Sequence, residues 1–265
     1  MKTFSAENSG MTKLHAWLAA GFAAIILSAS AAEPAAPDYE QPKLLMGTVY
    51  EMSSGTNKVL FTSKRTAVRS NATVHVLCDY FYPNGSVAAR EVAVFERGQL
   101  TFFQLDERQT GARGAAKVAA DAKNPAKQKL EFDWVTSDGK KKTDSEALQR
   151  ETLIGDMIPY FIVAHWNELS RGTAVNFRFI ASDRLETVGF KLVKESDVTW
   201  RGKPAVRLRM EASNFIIAQL VDPIFFIVEK DGAHRVLEYD GRITPKQRDG
   251  SKWKDLDART VYDWN

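Results

Sequence analysis

Few residues of this 265-residue chain have the types and spacing of a known catalytic or metal-binding set. Cys78 is the single cysteine, so it cannot form a disulfide within the chain. His75, His165 and His234 stand far apart, with no pairing typical of metal ligands. The chain contains no Gly-x-Ser-x-Gly turn and no glycine-rich phosphate loop. The sequence therefore predicts no catalytic residue, no metal site and no cofactor.

Two single residues could carry chemistry, and each has a simpler structural interpretation. Cys78 shares the alternate face of a β-prone run with Val76 and Tyr80, which is typical of a small buried side chain. His165 stands three residues before Glu168, and a histidine bonded to backbone or water is simpler than a ligand. Carboxylates are plentiful, so a pair that hydrolyses a glycosidic bond can be neither selected nor excluded.

The charge of the chain is nearly balanced. It has 36 basic and 33 acidic residues and a formal net charge of +3 at pH 7. Nucleic acid is not an expected partner, because proteins that bind it concentrate positive charge. The lysines at 140–142 follow Asp138 and Gly139 and predict a solvated hairpin turn. Contact with an anionic surface is the less favoured alternative.

Aromatic residues are concentrated in the second half of the chain. A curved sheet with a helix across it could use them as a dry core, which is the default interpretation, or as the lining of a lipid cavity. In the second case, side chains on the predicted helix and on the strand after it should contact the ligand, because short connections place consecutive elements together. The candidate ligand-binding residues are Phe161, Trp166, Phe177 and Phe179.

Residues 1–32 have the organisation of a bacterial signal peptide. Met11-Thr12-Lys13 is a basic start, residues 14–27 are an apolar run, and Ala29-Ser30-Ala31-Ala32 offers small residues for cleavage. The run is short for a membrane span, although an uncleaved signal anchor is an alternative. We therefore expect a periplasmic or secreted protein without a membrane span after cleavage. The chain could start at Met11 rather than Met1.

Residues 33–42 are rich in proline and alanine and predict a flexible tether. From residue 43 to residue 265, strand signals predominate and predict a single β-rich domain. Pro83-Asn84-Gly85 is a strong hairpin signal, since Asn and Gly tolerate positive φ. Residues 206–211 alternate apolar and charged side chains, as a half-buried antiparallel strand does. Roughly a dozen strands of this kind are expected, at the spacing of barrels and sandwiches.

One segment, near residues 155–170, predicts a helix, because its apolar residues recur at spacings of three and four. Asp156 or a neighbour is the expected N-cap, and Pro159 is tolerated only in the first turn. Gly172 lies just past the expected end. The apolar stripe is wide, so this helix should pack against a sheet.

Four other segments interrupt the strand pattern. Residues 53–57 predict a turn, and residues 213–220 could form a short helical turn. Residues 107–129 contain glycine, alanine and scattered lysine. They predict a long surface excursion, part of which could be helical. Residues 246–258 are expected to be a polar loop.

These elements predict a mainly β fold. The expected architecture is a single curled antiparallel sheet, a barrel or half-barrel, with the helix near 155–170 packed on its concave face. A β-sandwich is the alternative.

Several motifs of the second half occur in a fixed order: Gly155-Asp156-Met157, His165-Trp166, Phe177-Arg178-Phe179, Val221-Asp222-Pro223 and the run from His234 to Arg242. Through them, about residues 150–243 resemble a family of uncharacterised exported bacterial β-rich proteins. The resemblance implies export and a β fold but no known activity. In architecture alone, a curled sheet with a helix is similar to the periplasmic lipoprotein carriers. No carrier motif maps onto residues of this chain.

The function that the sequence favours is an exported binding protein for a hydrophobic small molecule or lipid. A structural or envelope-assembly protein without a ligand is one alternative. A hydrolase with an unmarked carboxylate site is the other, and it is the less favoured because the nucleophile motifs are missing.

Overall fold

The computed structural model describes residues 37–52, 58–214 and 222–264, which belong to one compact unit. The predicted signal peptide, the predicted turn at 53–57 and most of the predicted helical turn at 213–220 lie outside the described residues. The predicted curled antiparallel sheet is confirmed, with one helical segment packed on it.

The described residues contain fifteen strands in one sheet. Their apolar and polar side chains alternate, because successive residues of a strand point to opposite faces. The strands are β1 (Leu44–Glu51), β2 (Val59–Ser70), β3 (Thr73–Phe81), β4 (Val87–Glu96), β5 (Gln99–Glu107), β6 (Ala112–Ala120), β7 (Gln128–Val135), β8 (Lys141–Ala147), β9 (Thr152–Leu153), β10 (Val175–Ala181), β11 (Glu186–Trp200), β12 (Lys203–Ala212), β13 (Ile224–Glu229), β14 (Val236–Asp249) and β15 (Lys252–Asp263).

The strand order is a meander whose first and last strands meet in the middle of the sheet. Strand β1 pairs with both β2 and β15, and the sheet extends from there to β8 on one side and β9 on the other. All pairs are antiparallel except β9 with β10. The central place of β1 and β15 joins the two halves of the chain through backbone hydrogen bonds.

The sheet curls, and among the described strands no ladder closes it. Near one edge, the backbone N–H of Thr187 on β11 donates to Glu146 Oε1 on β8 at 2.9 Å. Across the concave side, the Thr244 hydroxyl on β14 donates to Glu91 on β4, and the backbone N–H of Lys246 donates to Gln109 Oε1 at 2.6 Å. Side chains therefore connect strands that are remote in the sheet order.

The predicted helix is present as three short pieces: a 3-10 helix at Gly155–Met157, α1 at Ile158–Ala164 and α2 at Trp166–Ser170. Pro159 lies in the first turn of α1, where its missing N–H removes no helical bond. Gly172 follows α2 with a φ of +82°. Asp156 was the expected N-cap, but no side chain caps these helices, because its carboxylate binds Arg65 instead.

The prediction of a surface loop over 107–129 is wrong for the middle of that segment. Residues 112–120 form strand β6, which pairs with both β5 and β7. The strand consists mainly of alanine and glycine, which have low β propensity. Small residues are required here because Trp134 lies across Gly114 and a 3-10 helix at Ser182–Arg184 packs against β6.

The prediction of a polar loop over 246–258 is also wrong. Strands β14 and β15 continue to a turn at Gly250, and their outer ends are polar on both sides. Cross-strand ion pairs replace apolar burial as the local contacts. They include Lys246 Nζ with Asp255 Oδ1 at 2.8 Å and Arg242 Nε with Asp257 Oδ1 at 2.8 Å.

Two further segments differ in part from expectation. The predicted solvated hairpin turn is present at residues 136–140, where the Gly139 N–H donates to the Thr136 carbonyl at 2.8 Å, but Lys141 and Lys142 already belong to the exposed edge strand β8. Within the predicted flexible tether, Tyr39 packs on the sheet: it is 5 % exposed and stacks on Phe95 with ring centroids 3.9 Å apart.

We expect Gly114→Ala to lower the free energy of unfolding by about 1–3 kcal/mol, because a Cβ there would lie 2.5 Å from Trp134 Cε3 and closer still to the Asp133 carbonyl oxygen. Urea denaturation measures the loss. Gly155→Ala is the matched control, since nothing lies within 4 Å of its added Cβ. Equal stability of the two variants would contradict strand β6.

Candidate functional site: an interior polar layer

The concave side of the sheet holds two separate apolar clusters. The larger one contains the buried residues of α1 and the adjacent strands, among them Phe95, Ile162 and Leu192. The smaller one contains buried Val49, Phe61, Ala88, Ile243, Leu256 and Ala258. Tyr239 packs against both clusters and therefore connects them.

Polar side chains occupy the concave face between these clusters, and we call this set the interior polar layer. Strand register places the side chains of Arg65, Cys78 and Glu91 in one row across β2, β3 and β4. The row continues the inward alternation that buries Val76 on β3 and Ala93 on β4. The layer consists of Arg65, Cys78, Tyr80, Glu91, Asp156, Tyr239, Thr244 and Tyr262.

Arg65 is the most extensively bonded member of the layer. Its Nε and Nη2 donate to the two carboxylate oxygens of Asp156 at 2.5 and 3.0 Å. The remaining bonds go to the carbonyls of Tyr39, at 2.7 Å, and Pro42, at 2.5 Å, and to the Tyr160 hydroxyl, at 3.1 Å. Burial by itself would lower the pKa of Arg65, but the bonded Asp156 carboxylate raises it, so the guanidinium remains charged.

Glu91 is the most unusual titratable group of the layer. Burial raises the pKa of its carboxyl from 4.5 to about 7; the hydrogen bond from Thr244 opposes this shift, and the charge of Asp156 adds to it. Among the described residues, the hydrogen bond from Thr244 is the one contact that satisfies this carboxyl. Near neutral pH the group can hold a proton, release one, or pair with a cation.

The other members of the layer are neutral hydrogen-bonding groups. Burial is the main cause that raises the pKa of Cys78, Tyr80, Tyr239 and Tyr262, so all four stay protonated at neutral pH. Their side chains nevertheless remain half-buried, in contrast to the fully buried residues of the two clusters. Each of the four therefore keeps part of its surface accessible on the concave side of the sheet.

The four residues predicted to bind a ligand fall into two groups. Phe161 and Phe177 are 5 % and 4 % exposed and contact each other, with ring centroids 5.2 Å apart. Phe179 is half-buried and packs edge-on against Phe190 at 6.2 Å. Trp166 is half-buried and stacks on His234 at 4.0 Å. The structure thus brings Phe161 and Phe177 together in the core and places Trp166 against a different strand connection.

The histidines occupy ordinary structural positions. His165 ends α1 and lies 4.3 Å from the Phe161 ring, with its Nδ1 3.9 Å from Glu168. His234 Nδ1 lies 3.2 Å from the Glu229 carbonyl. In the described ranges, no three His, Cys, Asp or Glu side chains are grouped to hold a metal ion. Among the same residues, no helix is long and apolar enough to cross a membrane.

The interior polar layer was missed at the sequence level, although its sequence carried a signal. On β4 the inward positions are Ala89, Glu91, Ala93 and Phe95, so one carboxylate interrupts an apolar alternation. On β2, Arg65 interrupts the inward series of Phe61, Ser63 and Ala67 in the same way. A charged residue at an inward position predicts a paired or functional group, because an unpaired buried charge is costly.

A comparison with models of protein families found no match, and a comparison with curated proteins found none either. One solved structure similar to this chain is a β-barrel-like protein from Brucella abortus, a domain of unknown function designated DUF1849. The likeness covers 83 % of this chain and 94 % of that chain, at 8 % sequence identity and a TM-score of 0.38.

We expect Arg65→Met to lower the free energy of unfolding by about 3–5 kcal/mol, because it leaves Asp156 and two carbonyls buried without their donor. Chemical denaturation measures the change. Arg184→Met, which removes an exposed ion pair with Glu186, is the control and should change stability little. Similar losses for both variants would show that the Arg65 bonds are dispensable.

We expect Glu91→Gln to remove a pH dependence of stability. Between pH 4.5 and about 7 the folded chain keeps the Glu91 proton and the unfolded chain does not, so stability falls as pH rises. The fall attributable to this group is roughly 3 kcal/mol. Denaturation at several pH values should give a flatter profile for Glu91→Gln, whereas exposed Glu96→Gln on the same strand should follow the parent. Parallel profiles for all three proteins would contradict the raised pKa.

Proposed function

We propose that this chain is an exported binding protein that holds a hydrophobic or lipid-like ligand on the concave face of its curled sheet. One observation carries the proposal: Tyr80, Tyr239 and Tyr262 lie deep between two apolar clusters and are still half-buried rather than fully packed. Mostly apolar walls with a few polar groups are typical of sites for small molecules.

The composition of this face suits a ligand with a long apolar part. The larger cluster supplies aliphatic and aromatic walls, and burial of an apolar chain against them is favourable by roughly 25 cal/mol per Å². The interior polar layer supplies the hydrogen-bonding groups that orient such a ligand. Among the described residues, the seam between β8 and the β10–β11 region is held by side-chain contacts rather than by a closing ladder, and this seam is the proposed entry.

The aromatic residues predicted from the sequence have unequal parts in this proposal. Phe161 and Phe177 are already packed against each other, so their first role is to support the wall. Phe179 and Trp166 keep partial exposure. A ligand could therefore contact these two rings without a rearrangement of the core.

Export is the second part of the proposal, and it rests on the signal-peptide pattern of residues 1–32. Expression of the full chain in a bacterium, followed by fractionation and an intact mass, tests it. Cleavage after Ala31 or Ala32 and recovery from the periplasm are expected. An unprocessed chain in the cytoplasmic fraction would contradict export.

We expect Trp166→Ala to reduce the lipid that co-purifies with the protein while costing less stability than Phe161→Ala. Phe161 is a core residue, and its truncation should cost about 3–5 kcal/mol. Native mass spectrometry measures bound lipid, and urea denaturation measures stability, on the same preparations. A large stability loss for Trp166→Ala with unchanged lipid content would favour the structural alternative without a ligand.

A further inference from the structure

The carboxyl groups on this part of the concave face differ in their partners. Asp156 is bound by Arg65, as described above. Glu107 on β5 is buried and lies 3.2 Å from Lys246 Nζ. Glu91 is the third, and in the described part of the chain it has a hydroxyl partner but no cationic one. A deeply placed carboxylate without a counter-ion is unfavourable, so Glu91 either keeps its proton or needs a positive charge from outside the described residues.

The groups that surround Glu91 come from six elements, and none of them supplies that charge. Cys78 and Tyr80 lie on β3, and Tyr262 lies on β15. Tyr239 and Thr244 lie on β14. Asp156 lies in the 3-10 helix at Gly155–Met157, and Arg65 lies on β2. The β5 residue paired with Glu91 is Leu105. The guanidinium of Arg65 is already occupied by Asp156 and three further acceptors.

The aromatic members of this set have a property suited to a cation. The faces of tyrosine rings attract ammonium groups, and the attraction grows when the site is shielded from water. Tyr80 and Tyr239 both pack against the smaller apolar cluster, and Tyr262 lies 3.3 Å from the position that a Cβ on Gly47 would take. Strand register places Cys78 beside Glu91 and Tyr80 beside Ala89, the next inward position. The Thr244 bond to Glu91 brings β14, which carries Tyr239, across from it, and Tyr262 lies on the adjacent strand β15.

We propose that Glu91, together with Tyr80, Tyr239 and Tyr262, forms a subsite for the ammonium group of a cationic amphiphile. This inference rests on the proposed function, because the apolar walls would hold the chain of that molecule. An anionic head group would meet ionised Glu91 and be repelled. An uncharged hydroxyl would suit protonated Glu91 but would leave the carboxylate form without a partner.

The proposed subsite implies a linkage between binding and protonation. A permanent cation binds the ionised carboxylate, so its affinity should rise with pH until Glu91 is fully deprotonated. Over the same range, the high pKa values of Cys78, Tyr80, Tyr239 and Tyr262 keep these groups neutral, and Arg65 stays charged. Glu91 is thus the group of the layer expected to produce the dependence.

The test compares four amphiphiles with ten-carbon chains: decyltrimethylammonium, decylamine, decanol and decanoate. Each is titrated below its micelle-forming concentration into the full mature chain, and binding is followed by calorimetry. We expect the two cations to bind at least ~10-fold more tightly than decanol at pH 8, and decanoate to bind most weakly. The dissociation constant of decyltrimethylammonium should fall by up to about tenfold per pH unit from pH 5 toward 7.

Two variant pairs identify the groups responsible. Glu91→Gln should lose both the preference for cations and the pH dependence while still binding decanol, and Glu96→Gln should retain both. Tyr239→Phe keeps the ring and should keep the preference, whereas Tyr239→Leu should weaken cation binding. Circular dichroism of each variant establishes that it is folded before it is titrated.

The outcomes separate this inference from the proposed function. Equal affinity for all four amphiphiles, or a cation preference that survives Glu91→Gln, would overturn the ammonium subsite and leave the binding function standing. Tighter binding of decanol than of either cation would do the same and would indicate a subsite for an uncharged head group. No binding of any amphiphile to the parent protein would overturn both.

Discussion

The Arg65 guanidinium joins three parts of the chain that are far apart in sequence. It lies on β2, binds the carbonyls of Tyr39 and Pro42 in the N-terminal segment, and binds Asp156 at the start of the helical segment. A guanidinium has five N–H donors in a rigid fork, so one side chain can hold several acceptors in fixed directions. These bonds hold the first turn of the helical segment on the concave face.

The curled sheet and the helical segment depend on each other. A sheet of this width has one apolar face to cover, and short helices such as α1 and α2 are not stable alone. Burial of Ile158, Phe161 and Ile162 against the sheet stabilises the helix and fills part of the curve at the same time. The exposed edge strand β8 carries lysine and acidic side chains, and β9 has only two residues, which limits edge-to-edge association.

The polar residues of the concave face differ in how completely they are bonded. Arg65 and Asp156 neutralise each other and are fully bonded, so their role is to hold elements together. Glu91 and the tyrosines have fewer hydrogen bonds and keep part of their surface exposed, which is why the proposed binding site is placed there. The same curl that buries the carboxylate also brings β14 opposite β4, so the fold itself creates the electrostatic environment of Glu91.

Local patterns in the sequence were sufficient for most strands, for the position of the helix and for the turn at Pro83-Asn84-Gly85. These features depend on alternation, on spacing and on residues that tolerate positive φ, and all three can be read over a few neighbours. They also account for the prediction of a single curled sheet, since one broadly apolar helix needs one concave apolar face to cover.

The tertiary structure alone decided the features that depend on remote partners. Strand β6 is a strand because Trp134 and a 3-10 helix require small residues beside them, and the ends of β14 and β15 are paired through ion pairs rather than apolar burial. The role of Asp156 changed from an N-cap to the partner of a residue 91 positions away. Glu91 became a candidate site for the same reason: its neighbours come from six elements, and their meeting depends on the curvature of the whole sheet.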